Sequence, residues 1–240
     1  MRPLAGRTVV VTRAAEQAGP LAERLTALGA VVVELPVIAV AEPSDGGAAL
    51  AKAVADLARY DWAVVTSANG AERLADAAGP WPDGVRLAAV GPGTAAALAT
   101  RGLASDLVAE RSVAEGLVEV FPPGPGRVLA VQAEQARPVL ADGLRAKGWT
   151  VDAVVAYRTV AANPAPELLE RAAAADAVTF TSGSTVRAYL AAGTRVPPVV
   201  VTIGPVTSDV ARAAGLVVRR EASPHSLDGL VEAVVDALAT

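Results

Sequence analysis

An α/β fold of two flavodoxin-like parallel-sheet domains, discontinuous in the chain and joined by a two-stranded linker, is predicted by three features of this 240-residue sequence. The first is a repeat. Val65-Thr66-Ser67-Ala68-Asn69-Gly70 returns as Phe180-Thr181-Ser182-Gly183-Ser184-Thr185, and Val90-Gly91-Pro92-Gly93-Thr94 returns as Ile203-Gly204-Pro205-Val206-Thr207. Thr66 and Thr181 stand 115 residues apart and Gly91 and Gly204 stand 113 apart, a spacing kept by Ala114-Glu115-Gly116-Leu117 and Leu227-Asp228-Gly229-Leu230. Copies of that size are domains rather than short motifs. The second feature is a half-repeat: Leu21, Leu25 and Gly29 match Leu140, Leu144 and Gly148 at a constant offset of 119. This Leu-rich unit follows the other motifs in the middle copy but precedes them in the outer one. The arrangement that closes both copies puts 1–36 with 162–240 in an outer domain, inserts 43–154 as the other, and leaves 37–42 and 155–161 as linkers.

The third feature is the character of the apolar runs. In chain order these are Val9-Val10-Val11, Val31-Val32-Val33, Ala63-Val64-Val65, Leu87 to Val90, Val128 to Val131, Val151 to Val155, Ala177 to Phe180, Val199 to Ile203 and Val217-Val218. Short continuous runs of this kind suit strands covered on both faces, as in a parallel sheet. Between them lie Ala/Leu/Glu/Arg stretches with helical spacing, closed by Gly29, Gly102, Gly148 and Gly215 where a C-terminal cap is expected. About five strands per domain with covering helices result. Pro36, Glu42-Pro43, Asn163-Pro164 and Pro166 bound the crossovers, and Val37 to Val40 and Val155 to Thr159 alternate enough to pair as the two-stranded link. So narrow a link would let the domains rotate; a rigid contact is the alternative.

Composition narrows the chemistry. Hydrophobic residues are 52% of the chain but aromatics only 3%, so the cores are built from Val, Leu and Ala. No apolar run reaches the roughly 18 residues of a membrane helix and no apolar signal segment opens the chain, which predicts a soluble cytoplasmic protein. The absence of Cys excludes thiolate nucleophiles and Cys-ligated metals, and a single histidine, His225, excludes a multi-His metal site. A net charge of −4 is not that of a general nucleic-acid surface. Arg13, Arg137, Arg158 and Arg187 nonetheless lie beside the strand ends, where they suit a local anion site.

Thr66-Ser67-Ala68-Asn69-Gly70 and Thr181-Ser182-Gly183-Ser184 each stand at the carboxyl end of a strand and open a helix, a position where amides and hydroxyls bind oxyanions. Helix capping alone also explains such hydroxyls; their recurrence in both domains favours ligand contact. Gly91-Pro92-Gly93-Thr94 and Gly204-Pro205-Val206-Thr207 make the same junction, with glycine for close approach, proline to start the helix, and Thr94 and Thr207 as hydrogen-bonding residues or plain caps. Neither is a dinucleotide or Walker motif. Tyr157 stands where the inserted domain returns to the outer one, so its phenol is either a proton donor at the site or a packed interdomain residue. His225, in a turn before a helix, reads as a cap or an exposed residue, and nothing forms a Ser-His-Asp set.

The ordered set Val11-Thr12-Arg13, Thr66-Ser67-Ala68-Asn69, Val90-Gly91 with Thr94, Tyr157-Arg158-Thr159, Phe180-Thr181-Ser182 and Ile203-Gly204-Pro205-Val206-Thr207 resembles the uroporphyrinogen-III synthase family over almost the whole chain. The resemblance implies closure of hydroxymethylbilane to uroporphyrinogen III with inversion of ring D through a spiro intermediate, without metal or organic cofactor. It implies Tyr157 as the catalytic residue near the departing hydroxyl. Substrate contacts are implied at Arg13, Thr66, Ser67, Asn69, Gly91, Thr94, Ser182, Ser184, Gly204 and Thr207, with the substrate held between the domains. A monomer is expected, with transient contact to hydroxymethylbilane synthase and no nucleic-acid or membrane partner. Gly183 stands where the family often has proline, which predicts a looser loop at Ser184. The competing readings are a cytoplasmic two-domain small-anion binding or sensor protein and another cofactor-independent isomerase or lyase.

Overall fold

The computed structural model describes residues 2–239. The first half of the chain forms β1 (Thr8–Val11), α1 (Ala15–Ala27), β2 (Val31–Glu34), β3 (Ile38–Ala41), α2 (Ala48–Ala55), β4 (Trp62–Val65), α3 (Ala68–Ala77), β5 (Arg86–Ala89), α4 (Pro92–Ala99), β6 (Leu107–Val108) and α5 (Ala114–Val120). There follow β7 (Gly126–Ala133), α6 (Val139–Ala146), β8 (Trp149–Ala161), α7 (Pro166–Ala173), β9 (Ala177–Phe180), α8 (Gly183–Ala191), β10 (Val199–Thr202), α9 (Pro205–Ala213), β11 (Val218–Glu221) and α10 (Leu227–Leu238). Two compact units result, one of Met1–Ala39 with Val160–Thr240 and one of Val40–Thr159.

The first unit carries a five-stranded sheet of order β11-β10-β9-β1-β2, with every neighbouring pair parallel. Counted by appearance within the unit, this is the flavodoxin-like order 2-1-3-4-5. The second sheet runs β3-β8-β7-β4-β5-β6. Here β7 and β8 take the places of β1 and β2, while β4, β5 and β6 take those of β9, β10 and β11. The second unit is thus the same fold entered at its third strand, which is why the Leu-rich half-repeat changes sides between the copies.

Alternation along each strand divides the core. Val9 and Val11 of β1 pack toward α1 and α10 with Leu21, Leu25, Leu230 and Val234, whereas Val10 faces the opposite layer with Phe180, Val186 and Tyr189. In the second unit Ala63 and Val65 pack with Leu50, Leu74 and Leu98, and Trp62 and Val64 with Leu117, Phe121, Leu140 and Trp149. Aromatics concentrate in the latter layer, where Phe121 lies 5.0 Å from Trp62 and 5.8 Å from Trp149 between ring centres.

The paired crossover strands agree with the sequence reading, while β6 and β11 depart from it. β3 and β8 are neighbours, so the segments read as a two-stranded linker do lie on paired strands, as part of the second sheet. β6 is only two residues long, too short for a periodic signal. β11 starts at Val218 and leaves Val217 83% exposed, because three of the four residues of this edge strand, Val-Arg-Arg-Glu, are charged and it lacks the continuous apolar run that marks an inner strand.

Candidate functional site

The predicted residues gather on turns at the carboxyl ends of the strands in each unit. After β4, Ser67 adopts an extended conformation and caps α3, its Oγ accepting from Gly70 N–H at 3.1 Å. Thr66, Ser67 and Asn69 are half-buried around this cap, and Thr66 Oγ1 donates to Val131 O at 3.4 Å. Tyr157 reaches the same turn: it is 7% exposed, and its hydroxyl donates to Ser67 Oγ at 3.0 Å.

That contact depends on a β-bulge. Along β8, Trp149 and Val151 face the α5–α6 layer, while Val154 and Ala156 face the α3 layer. Strict alternation would send Tyr157 back to the α5–α6 side. The pairing with β7 instead slips from Gln132 opposite Val155 to Ala133 opposite Tyr157. The extra residue, Ala156, turns Tyr157 onto the α3 side, among Val65, Ala71 and Val131 and beside Ser67.

The two Gly-Pro turns are equivalent down to their packing. Gly91 and Gly204 precede α4 and α9 with fully extended backbones that any residue adopts, so their small size answers contact rather than strain. A Cβ on Gly91 would lie 2.2 Å from Ser112 Oγ, and one on Gly204 would lie 3.3 Å from the His225 ring. Ser112 and His225 are themselves 113 residues apart, the spacing of the glycines they cover. In the same way Gly116 and Gly229 are pressed on Arg111 O and Pro224 O, the next residues back in each copy. The space beside each glycine, expected to admit a ligand, is filled from within the unit. Thr94 and Thr207 are buried at 6% and 4% exposure, and their amides donate to Gly91 O and Gly204 O. Gly91→Ala is expected to cost about 1–3 kcal/mol through overpacking, with Ser112→Gly restoring most of it in urea unfolding.

In the first unit, Thr12 and Thr179 pin the carboxyl ends of β1 and β9 together, Thr12 Oγ1 donating to Thr179 O at 2.8 Å and Thr179 Oγ1 to Val10 O at 2.9 Å. Arg13 leaves this fixed strand end half-buried. One Nη donates weakly to Gln17 Oε1 at 3.5 Å, its buried Nε meets no acceptor, and burial draws the guanidinium below its ordinary pKa. A desolvated cation with an unmatched donor is a place for an anion.

Ser182 caps α8 through a reciprocal box with Thr185, and its Oγ lies 2.8 Å from Ser184 Oγ. This corrects the expectation of a loose loop: Gly183 is the first residue of α8, where a Cβ would lie 2.9 Å from Val210. Beyond the Gly204 turn, the buried Thr202 and Ser208 hydroxyls are 2.7 Å apart, and Ser208 donates onward to Glu221.

The other arginines differ from Arg13. Arg137 makes a bidentate ion pair with Glu115 at 2.7 and 3.1 Å, which raises its pKa through the hydrogen bond. Arg158 donates to Glu42 O at 2.9 Å, and exposed Arg187 lies over the Ser182 cap. Ser112 and His225, which sequence reading had not assigned to these turns, were findable by extending the terminal repeat two residues back. Among the described residues no group of three His, Cys, Asp or Glu side chains is placed to hold a metal ion, and no helix is long and apolar enough to cross a membrane.

A family model described as uroporphyrinogen-III synthase HemD matches residues 19–232. A uroporphyrinogen-III synthase of Synechococcus elongatus is 34% identical over 254 residues, covering 97% of this chain and 96% of that protein. A porphyrin biosynthesis protein HemD of Ruminiclostridium josui is 30% identical over 250 residues, covering 96% of this chain and 49% of that longer protein. Among solved structures, a mutant uroporphyrinogen III synthase from Thermus thermophilus superimposes with a TM-score of 0.65 at 21% identity, covering 97% of this chain and 99% of that one. The synthetase from Helicobacter pylori gives 0.64 at 15% identity, covering 96% and 99%. These two show the shared two-domain fold.

Proposed function

The chain belongs to the uroporphyrinogen-III synthase family, and from that premise we propose that Tyr157 supplies the proton for the departing hydroxyl while the strand-end turns hold the substrate's carboxylates. The chemistry is dehydration and closure of hydroxymethylbilane to uroporphyrinogen III, a cofactor-independent lyase reaction. The ring A hydroxymethyl leaves as water, the pyrrole nitrogen stabilises the resulting azafulvene, and ring D attacks through its substituted carbon. The spiro intermediate then fragments and recloses with ring D reversed. Spontaneous closure without inversion gives the I isomer, so orientation matters as much as rate.

The observation that carries the donor role is the buried Tyr157 hydroxyl aimed by the Ala156 bulge at the α3 cap. A phenol gives a proton without first bearing a charge, which suits a site that must also hold many carboxylates. Arg13 is the charged carboxylate contact. Asn69, Ser182 and Ser184 offer side-chain donors, and Thr66 and Ser67 offer the backbone of their turn, at helix starts where the dipole favours anions. Gly91, Thr94, Gly204 and Thr207 act through the shape of the turns rather than through the threonine hydroxyls, since both threonine side chains are buried and their amides bond to Gly91 O and Gly204 O. The same reading makes the protein a cytoplasmic monomer that receives its unstable substrate by transient contact with hydroxymethylbilane synthase.

Incubation with freshly generated hydroxymethylbilane is expected to yield the III isomer well above the spontaneous control. Only the I isomer, formed at the uncatalysed rate, would leave a two-domain anion-binding or sensor protein in its place.

A further inference from the structure

We propose that the proton reaches the departing hydroxyl through Ser67, with Tyr157 behind it as the group that refills Ser67. This rests on the reading of Tyr157 as proton source and changes the route. A serine hydroxyl has two lone pairs and one proton. Ser67 Oγ accepts from Tyr157 Oη at 3.0 Å and from Gly70 N–H at 3.1 Å, so both lone pairs are engaged. Its own proton is therefore turned away from both donors. Tyr157 has one proton and directs it at Ser67, and at 7% exposure the ring is buried behind the turn, whereas Ser67 is only half-buried at the strand end. The atom placed to meet a substrate oxygen is Ser67 Oγ.

The transfer balances. The Ser67 O–H bond breaks as its proton joins the leaving oxygen, the carbon–oxygen bond breaks, and water departs. The Tyr157 O–H bond breaks as its proton moves to Ser67 Oγ. The tyrosinate is reprotonated by the proton released when the free α-carbon of ring D loses its hydrogen in the final closure. The N-terminus of α3, whose Gly70 amide already touches Ser67 Oγ, stabilises the negative charge that crosses that oxygen during transfer.

A double-mutant cycle on the full chain tests this, with kcat, KM and III/I ratio measured on fresh hydroxymethylbilane. Glycine is nearly as good an N-cap as serine, so Ser67→Gly removes the relay while sparing α3. Ser67→Gly is expected to lower kcat about 100-fold with KM unchanged, to match Tyr157→Phe, and to add nothing in the double variant. Ser67→Thr, which keeps cap and proton, should restore most of kcat. Should Ser67→Gly fail to fold, Ser67→Asn, an equal cap without an acidic hydroxyl, enters the same cycle. A wild-type kcat in the Gly or Asn variant, a rise in KM alone, or losses that multiply in the double variant would overturn the relay and leave Tyr157 as direct donor. A wild-type rate in Tyr157→Phe would instead overturn the donor reading itself.

Discussion

Tyr157→Phe is expected to lower kcat about 100-fold and to shift product toward the I isomer, because removal of a positioned proton donor slows departure of the hydroxyl while spontaneous closure continues. The ring would keep its packing with Val154, Ala156 and Val131, so the fold should lose little more than one hydrogen bond, about 1 kcal/mol. Rate and isomer ratio must be read where chemistry limits turnover. Wild-type values for both would remove Tyr157 from the mechanism without touching the family assignment.

Arg13→Met is expected to raise KM for hydroxymethylbilane about 10- to 100-fold, the loss typical when one charge-assisted hydrogen bond to a carboxylate disappears. Methionine keeps much of the aliphatic stem's volume, and it removes a half-buried cation whose Nε meets no acceptor among the described residues, so stability should hold or rise. Arg13→Lys should recover part of the affinity, as it restores charge but not the planar fork. Steady-state kinetics and thermal unfolding on the same preparations separate these effects. An unchanged KM in Arg13→Met would assign the unmatched guanidinium to packing alone.

Much of the architecture was legible because duplication writes the same signal twice. Gly91 and Gly204 marked equivalent strand ends, and the displaced Leu21/Leu140 half-repeat implied a permuted copy, which the two sheet orders explain. The candidate site was legible as turns but not as contacts. Nothing in Val154-Val155-Ala156-Tyr157 announces that Ala156 is the residue left over, since a bulge is set by pairing with β7 and not by local composition. The packing of Ser112 and His225 over the turns was not legible for a related reason: different residues fill the same place, and only the glycines beneath them are alike. Gly183 misled because freedom in sequence became confinement once α9 packed over it.

The sheet order of the first unit also bears on how the protein is made. β1 lies inside that sheet between β2 and β9, yet β9 emerges from the ribosome more than 160 residues after β1. The second unit has all its strands by the time β8 is synthesised and can close early. The opening β1-α1-β2 segment, with its row of valines, must wait through the translation of an entire domain. Vectorial synthesis therefore turns an inserted domain into a delay, during which the nascent β1-α1-β2 unit carries an open β1 edge that β9 covers in the folded sheet.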